Sequence, residues 1–97
     1  MNTNGNIYSA PGDITSTTAE SFWQKIEPMV REMSPGSAVE FDLRAARTVD
    51  SVGLNMIVKA IRMADERSGR VRIRLGSESL RRLCRFTRLD EHAEILN

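Results

Sequence analysis

Two segments of alternating sequence constrain the fold of this chain most. Residues 38–43 alternate apolar and polar side chains, and residues 71–75 do the same. A repeat of two predicts β-strands that each bury one face. The segment between them, residues 51–67, carries apolar residues at helical spacing, so the chain runs strand, helix, strand. That order is typical of an α/β fold.

The same alternation of elements extends to both ends of the chain. A short strand is predicted over residues 6–10. A helix follows it, and Thr17 and Glu20 have the spacing of a capping box for that helix. Ser77 is placed to cap a third helix, and the tail predicts a helical turn and then a short strand through Ile95.

The composition is that of one ordinary soluble domain. The chain has 97 residues, 40% of them hydrophobic, and a formal net charge of +1. Bulk charge therefore favours neither nucleic acid nor a membrane surface as a partner. We expect a disordered N-terminus over residues 1–5 and one domain over residues 6–97. With no secretory signal and no apolar segment long enough to span a bilayer, we expect a cytoplasmic protein without membrane insertion.

Nothing in the sequence predicts catalysis. Cys84 is the single cysteine and His92 the single histidine, so they cannot supply a metal-binding cluster or a well-founded Cys–His dyad. The sequence contains no glycine-rich phosphate loop. We therefore expect a protein that is not an enzyme and that has no catalytic residues, metal or cofactor.

A short polar motif lies where the second predicted helix begins. It reads Asp50-Ser51-Val52-Gly53-Leu54, and aspartate commonly caps helices with its side chain. A helix N-terminus presents free N–H groups and a partial positive charge, so a phosphate on Ser51 would be tolerated by its own chain. The motif alone is equally well explained as a helix cap, and Gly53 by tight packing of the loop.

The motif and its surroundings resemble the STAS domain of bacterial anti-sigma factor antagonists. The stretch from Val39 to Leu54 is similar to the strand, loop and Asp-Ser-x-Gly-Leu signature of that family. The turn Gly12-Asp13-Ile14 and the closing segment Leu83 to Leu89 extend the likeness on either side. The resemblance implies a small STAS-like domain, with a mixed sheet of about four strands and helices largely on one side.

The resemblance also implies a function. Members of this family bind an anti-sigma factor, often itself a serine kinase, while they are unphosphorylated. They release it when the serine after the aspartate is phosphorylated, and a PP2C-type serine phosphatase resets the cycle. The corresponding phosphorylation site in this chain is Ser51. Val52 replaces a second hydroxyl residue of the motif, Thr15 stands where many members have an aspartate, and Arg88 replaces a glycine near the last helix.

The second predicted helix indicates where a partner would bind. At about 100° per residue, the face expected in the core carries Leu54, Ile57, Val58, Ile61 and Ala64. Val52, Met56 and Met63 cluster on the opposite face, and methionine suits an adaptable interface. We therefore predict a partner-binding surface that consists of Asp50, Val52, Gly53, Met56, Lys59 and Met63.

Two other functions remain open. STAS-like domains also occur as accessory subunits of membrane ABC-type transporters, where the same surface would dock an ATPase subunit without a phosphorylation cycle. The nine arginines from Arg62 to Arg88 form a solvated face by default, and otherwise suit an acidic partner or, less well, nucleic acid. We expect no exposed aromatic side chains among these arginines, which argues against binding of single-stranded nucleic acid.

Overall fold

The computed structural model describes residues 6–96 of the chain. Its elements, in chain order, are β1 (Ile7–Ser9), α1 (Ala19–Arg31), β2 (Ala38–Leu43), α2 (Ser51–Glu66), β3 (Arg70–Leu75), α3 (Glu78–Phe86), a 3-10 turn (Leu89–Glu91) and β4 (Glu94–Leu96). The strands and helices follow the predicted order, and the small α/β fold is confirmed. The predicted disorder at residues 1–5 lies outside the described residues.

The four strands form one sheet in the order β1-β2-β3-β4, and all three described pairings are parallel. Phe41 on β2 pairs with Tyr8 on one side and with Ile73 on the other. The number of strands is as predicted, but the prediction of a mixed sheet is wrong. Each of the first three strands is followed by a helix, which returns the chain to the edge where that strand began, so the next strand runs in the same direction.

The sheet buries one face and exposes the other. Phe41 and Ile73 are fully buried beneath the helices. On the opposite face, Arg74 Nε donates to Glu40 Oε2 at 2.9 Å across neighbouring strands. Since the buried apolar residues of β2 and β3 occupy one face only, the helices lie on one side of the sheet, as predicted.

Helix α2 begins at the predicted residue and packs beside α1. Leu54 and Val58, which we expected in the core, are only partly buried. Compared with the prediction, the buried face of α2 is rotated around the helix axis toward glycine and alanine residues. Their small side chains let the backbone of neighbouring elements approach closely. The buried residues of α2 are Gly53, Ile57, Ala60, Ile61 and Ala64.

Candidate functional site

Two loops meet at the edge of the sheet where β1 and β2 end. Ile14, in the β1–α1 loop, forms a parallel bridge with Val49, in the β2–α2 loop. The Ile14 N–H donates to the Thr48 carbonyl oxygen at 3.0 Å, and the Asp50 N–H donates to the Ile14 carbonyl oxygen at 3.1 Å. These bonds fix the first turn of α2 beside the segment that precedes α1.

Two aspartates brace these loops with their carboxylates. Asp50 Oδ1 accepts the Gly53 N–H at 2.9 Å, which confirms the predicted helix cap, and Asp50 Oδ2 accepts the Ser16 N–H at 2.8 Å. Asp13 Oδ1 accepts two N–H groups of the β2–α2 loop at 2.8 and 3.1 Å. Each carboxylate thus ties one loop to the other. The sequence identified Asp50 as a cap, but these cross-loop bonds were missed.

The same bonds keep both carboxyl groups ionised. The N–H of Gly53, followed by that of Ser16, lowers the pKa of Asp50. The pKa of Asp13 is lowered mainly by the N–H of Arg47. Both shifts arise because backbone donors bond to the charged form of the carboxyl group. The start of α2 therefore carries fixed negative charge at neutral pH.

Helix α1 begins differently from the prediction. Its N-cap is Thr18, not Thr17, and the Thr18 side chain makes no cap hydrogen bond. Thr18 Oγ1 instead accepts the Thr15 N–H at 3.0 Å and donates to the Asp13 carbonyl oxygen at 2.7 Å. The hydroxyl group tightens the β1–α1 loop, whose Ser16 N–H is already held by the carboxylate from the other loop.

Ser51 is the first residue of α2 and is exposed. Within residues 6–96, its hydroxyl group has no hydrogen-bond partner. The neighbouring Asp50 carboxylate already accepts the Gly53 N–H, so Ser51 does not supply the helix cap. The predicted phosphorylation of Ser51 stays a prediction.

The two residues after Ser51 differ in exposure. Val52 is 38% exposed. Gly53 is buried, and a methyl group there would overlap the Ile14 carbonyl oxygen. Packing against the β1–α1 loop therefore explains the glycine, and its predicted contact with a partner stays a prediction.

The two methionines lie on the flank of α2 and not opposite the core. Met56 and Met63 are partly buried and pack against the core cluster, so the prediction that they point away from the core is wrong. A helical wheel of α2 cannot show which neighbouring elements such a flank packs against. Lys59 lies farther round the helix and is exposed, with its Nζ 4.9 Å from the centre of the Trp23 ring, within the range of a cation–π interaction.

Comparison with known families accounts for nearly all of the chain. The family described as "Mlab, STAS domain" matches residues 8–97. The chain belongs to this STAS domain family. Among curated proteins, no significant match is found.

Two solved structures share the fold of this STAS domain. A candidate anti-sigma factor antagonist from Thermotoga maritima is 16% identical, with a TM-score of 0.78 over 94% of this chain and 77% of that chain. An anti-sigma factor antagonist from Mycobacterium paratuberculosis is 26% identical, with a TM-score of 0.79 over 93% of this chain and 74% of that chain. The predicted STAS-like fold is thus confirmed.

The STAS domain also presents a residue that sequence analysis missed. Phe86, at the end of α3, is 89% exposed. The expectation that no exposed aromatic lies among the arginines is therefore wrong. A signal was present in the helical wheel, on which Phe86 falls away from Leu80 and Cys84, the two buried residues of α3.

Cys84 and His92 complete the candidate residues. Burial, followed by the charge of Asp90, raises the pKa of the Cys84 thiol, which makes it a poor nucleophile at neutral pH. His92 is exposed. In the described part of the chain, no cluster of three or more His, Cys, Asp or Glu residues could hold a metal ion. None of the described helices has the length and apolar character needed to cross a membrane.

Proposed function

We propose that this STAS domain is an anti-sigma factor antagonist of a partner-switching module. Unmodified, it binds an anti-sigma factor that is also a serine kinase, and phosphorylation of Ser51 releases it. The observation that carries the proposal is the exposed Ser51 hydroxyl at the start of α2, beside a carboxylate that already caps the helix. The descriptions of the two structural neighbours support the same role.

The switch works through the surface of the domain. A phosphate adds a charge of about −1.5 to −2 near neutral pH. Asp50, held ionised by backbone N–H groups, lies next to it in sequence, so the modified edge becomes strongly negative. Burying that charge against a partner without a facing cation is costly. The partner therefore dissociates, and a PP2C-type serine phosphatase restores binding.

The partner-binding surface is centred on the exposed part of α2. Val52 supplies an exposed apolar contact and Lys59 a cation beside Trp23. Met56 and Met63 are partly buried, and the exposed parts of their side chains contribute to this partner-binding surface. Asp50 and Gly53 act by holding the first turn of α2 in place. In this function the domain binds and carries out no catalysis, and it acts in the cytoplasm.

A direct binding experiment tests the proposal. The wild-type chain serves as bait in lysate of its host, and an anti-sigma factor identified by mass spectrometry is purified and titrated by calorimetry. We expect Ser51→Ala to bind like wild type and to resist release by ATP. Ser51→Glu and the phosphorylated chain should bind about 30- to 1,000-fold more weakly.

Ser34→Glu is the matched control. Ser34 is also exposed, but it lies in the α1–β2 loop, at the opposite edge of the sheet, so its variant should bind like wild type. Equal binding by the phosphorylated and unmodified chains would refute the switch. That result would favour the accessory subunit of an ABC-type transporter, which needs no phosphorylation.

A further inference from the structure

The single tryptophan of the chain lies on the side of α1 that faces α2. Trp23 is only partly buried, and Lys59 Nζ on α2 lies 4.9 Å from the centre of its ring. Within residues 6–96 the indole N–H has no hydrogen-bond partner, and it is not buried. Tryptophan is enriched at protein interfaces because it combines a large apolar ring with a hydrogen-bond donor. Trp23 therefore offers both kinds of contact to another molecule.

Lys59 belongs to a face of α2 that begins beside Ser51. Val52, Met56, Lys59 and Met63 lie within about 60° of one another around the helix. At about 1.5 Å per residue, Lys59 lies about 12 Å along the helix from Ser51. A specific interface covers about 800 Å² on each partner, a patch roughly 30 Å across. A partner that binds at Ser51 is therefore wide enough to cover Lys59 and the tryptophan beneath it.

Unpaired charges of both signs border this tryptophan. On α2, no acidic residue lies within one turn of Lys59, and Glu66 is about two turns away. On α1, Glu20 is exposed one turn before Trp23, whereas Glu27, one turn after it, is held in an ion pair of 2.6 Å within the helix. Neither Lys59 nor Glu20 makes an ion pair within residues 6–96. A complementary partner thus presents a carboxylate toward α2 and a cation toward α1.

We propose that Trp23, Lys59 and Glu20 extend the partner-binding surface from α2 onto α1 and receive an apolar segment of the anti-sigma factor that carries both an acidic and a basic side chain. The inference rests on the proposed function and identifies the chemistry of the partner. An apolar side chain covers the part of the Trp23 ring that is in water. The acidic side chain pairs with Lys59, and the basic one pairs with Glu20. An aromatic anchor within a charged rim is typical of an interface hot spot.

Fluorine NMR tests this contact in a chain with no substitution. Because the chain contains one tryptophan, labelling with fluorotryptophan gives a single resonance that reports on Trp23. We expect this resonance to shift when the purified anti-sigma factor is added, and to lose its sensitivity to deuterated water, because the partner excludes solvent from the ring. A chain that binds the factor by calorimetry while the resonance and its solvent sensitivity stay unchanged would overturn the inference.

Two lysine variants test the charge at this surface by calorimetric titration. Lys59→Glu should weaken binding about tenfold at low salt and less at about 0.5 M salt. Lys25→Glu is the matched control, since Lys25 is the other lysine of the chain and is exposed on α1, about 200° around that helix from Trp23. It should bind like wild type. Equal losses for the two variants would show an effect of net charge and would overturn the inference.

The outcomes separate this inference from the proposed function. If Ser51→Glu weakens binding while Lys59→Glu and the Trp23 resonance do not respond, the α1 contact is refuted and the switch stands. If Lys59→Glu weakens binding and the resonance responds while Ser51→Glu binds like wild type, the switch is refuted and the α1 contact stands. A wild-type chain that binds no anti-sigma factor overturns both. A Trp23 resonance that shifts with the concentration of the chain alone would identify a second copy as the occupant and would also overturn the inference.

Discussion

Replacing Gly53 by alanine tests how tightly the two loops of the site are packed. A Cβ atom at Gly53 would overlap the Ile14 carbonyl oxygen and would lie 2.8 Å from Ile14 Cγ2. The carbonyl is backbone and accepts the Asp50 N–H, so it cannot move without disturbing the junction of the loops. We therefore expect Gly53→Ala to destabilise the domain, although alanine is the better helix former.

Two opposing effects set the change in the free energy of unfolding for Gly53→Ala. Overpacking a well-filled site costs about 1–3 kcal/mol, and a clash with backbone belongs near the upper limit. Alanine regains at most about 1 kcal/mol of helix propensity. The free energy of unfolding should then fall by about 2 kcal/mol, which lowers the melting temperature of a domain of this size by roughly 8–16 °C.

Urea and thermal unfolding, followed by circular dichroism, measure this change. Gly12→Ala is the matched control, because a Cβ atom at Gly12 meets nothing within 4 Å, and its stability should stay within about 0.5 kcal/mol of wild type. A Gly53→Ala variant as stable as wild type, or more stable, would show that the predicted overlap with Ile14 does not occur in solution.

Two further predictions concern stability. Arg88 lies in the left-handed region, with φ 61° and ψ 23°, just after the C-cap of α3. Arg88→Gly should therefore raise the melting temperature by several degrees, since glycine adopts this conformation without steric cost. The control Arg82→Gly, inside α3, should lower it, and a rise in both would contradict the backbone argument. The second prediction concerns acid. The pKa values of Asp13 and Asp50 are lower in the folded state than the value of 3.8 expected in the unfolded chain. The two ionised carboxylates therefore contribute their full stability above that unfolded pKa. This stability is lost as the pH falls through their pKa values in the folded state. Urea unfolding between about pH 6 and pH 3 should show this loss, and Asp50→Asn, which keeps a side-chain acceptor at the cap, should show a shallower one. Parallel pH profiles would mean that Asp50 does not contribute.

The parts of the site that depend on neighbours in sequence were predictable, and those that depend on packing were not. Asp50 and Ser77 were identified as caps because a cap bonds to an N–H only a few residues away. The bonds of Asp13 to the β2–α2 loop span 34 and 35 positions, and no local pattern encodes them. For Met56 and Met63, helical periodicity gave the angle around α2, but it could not show that both side chains pack against the core.

The strand order carries a consequence for how the domain is made. Each strand pairs with the strands that precede and follow it in the chain. Each pairing therefore closes a loop that contains a single connection, and the entropy lost on closing it is smaller than for a longer loop. During synthesis from the N-terminus, each new strand can add to the edge left by the previous one. The edge that carries Ser51 is assembled from the first two connections, whereas Phe86 takes its place only after β3 has joined the sheet. The junction of loops beside Ser51 can therefore be complete before α3 and β4 have formed.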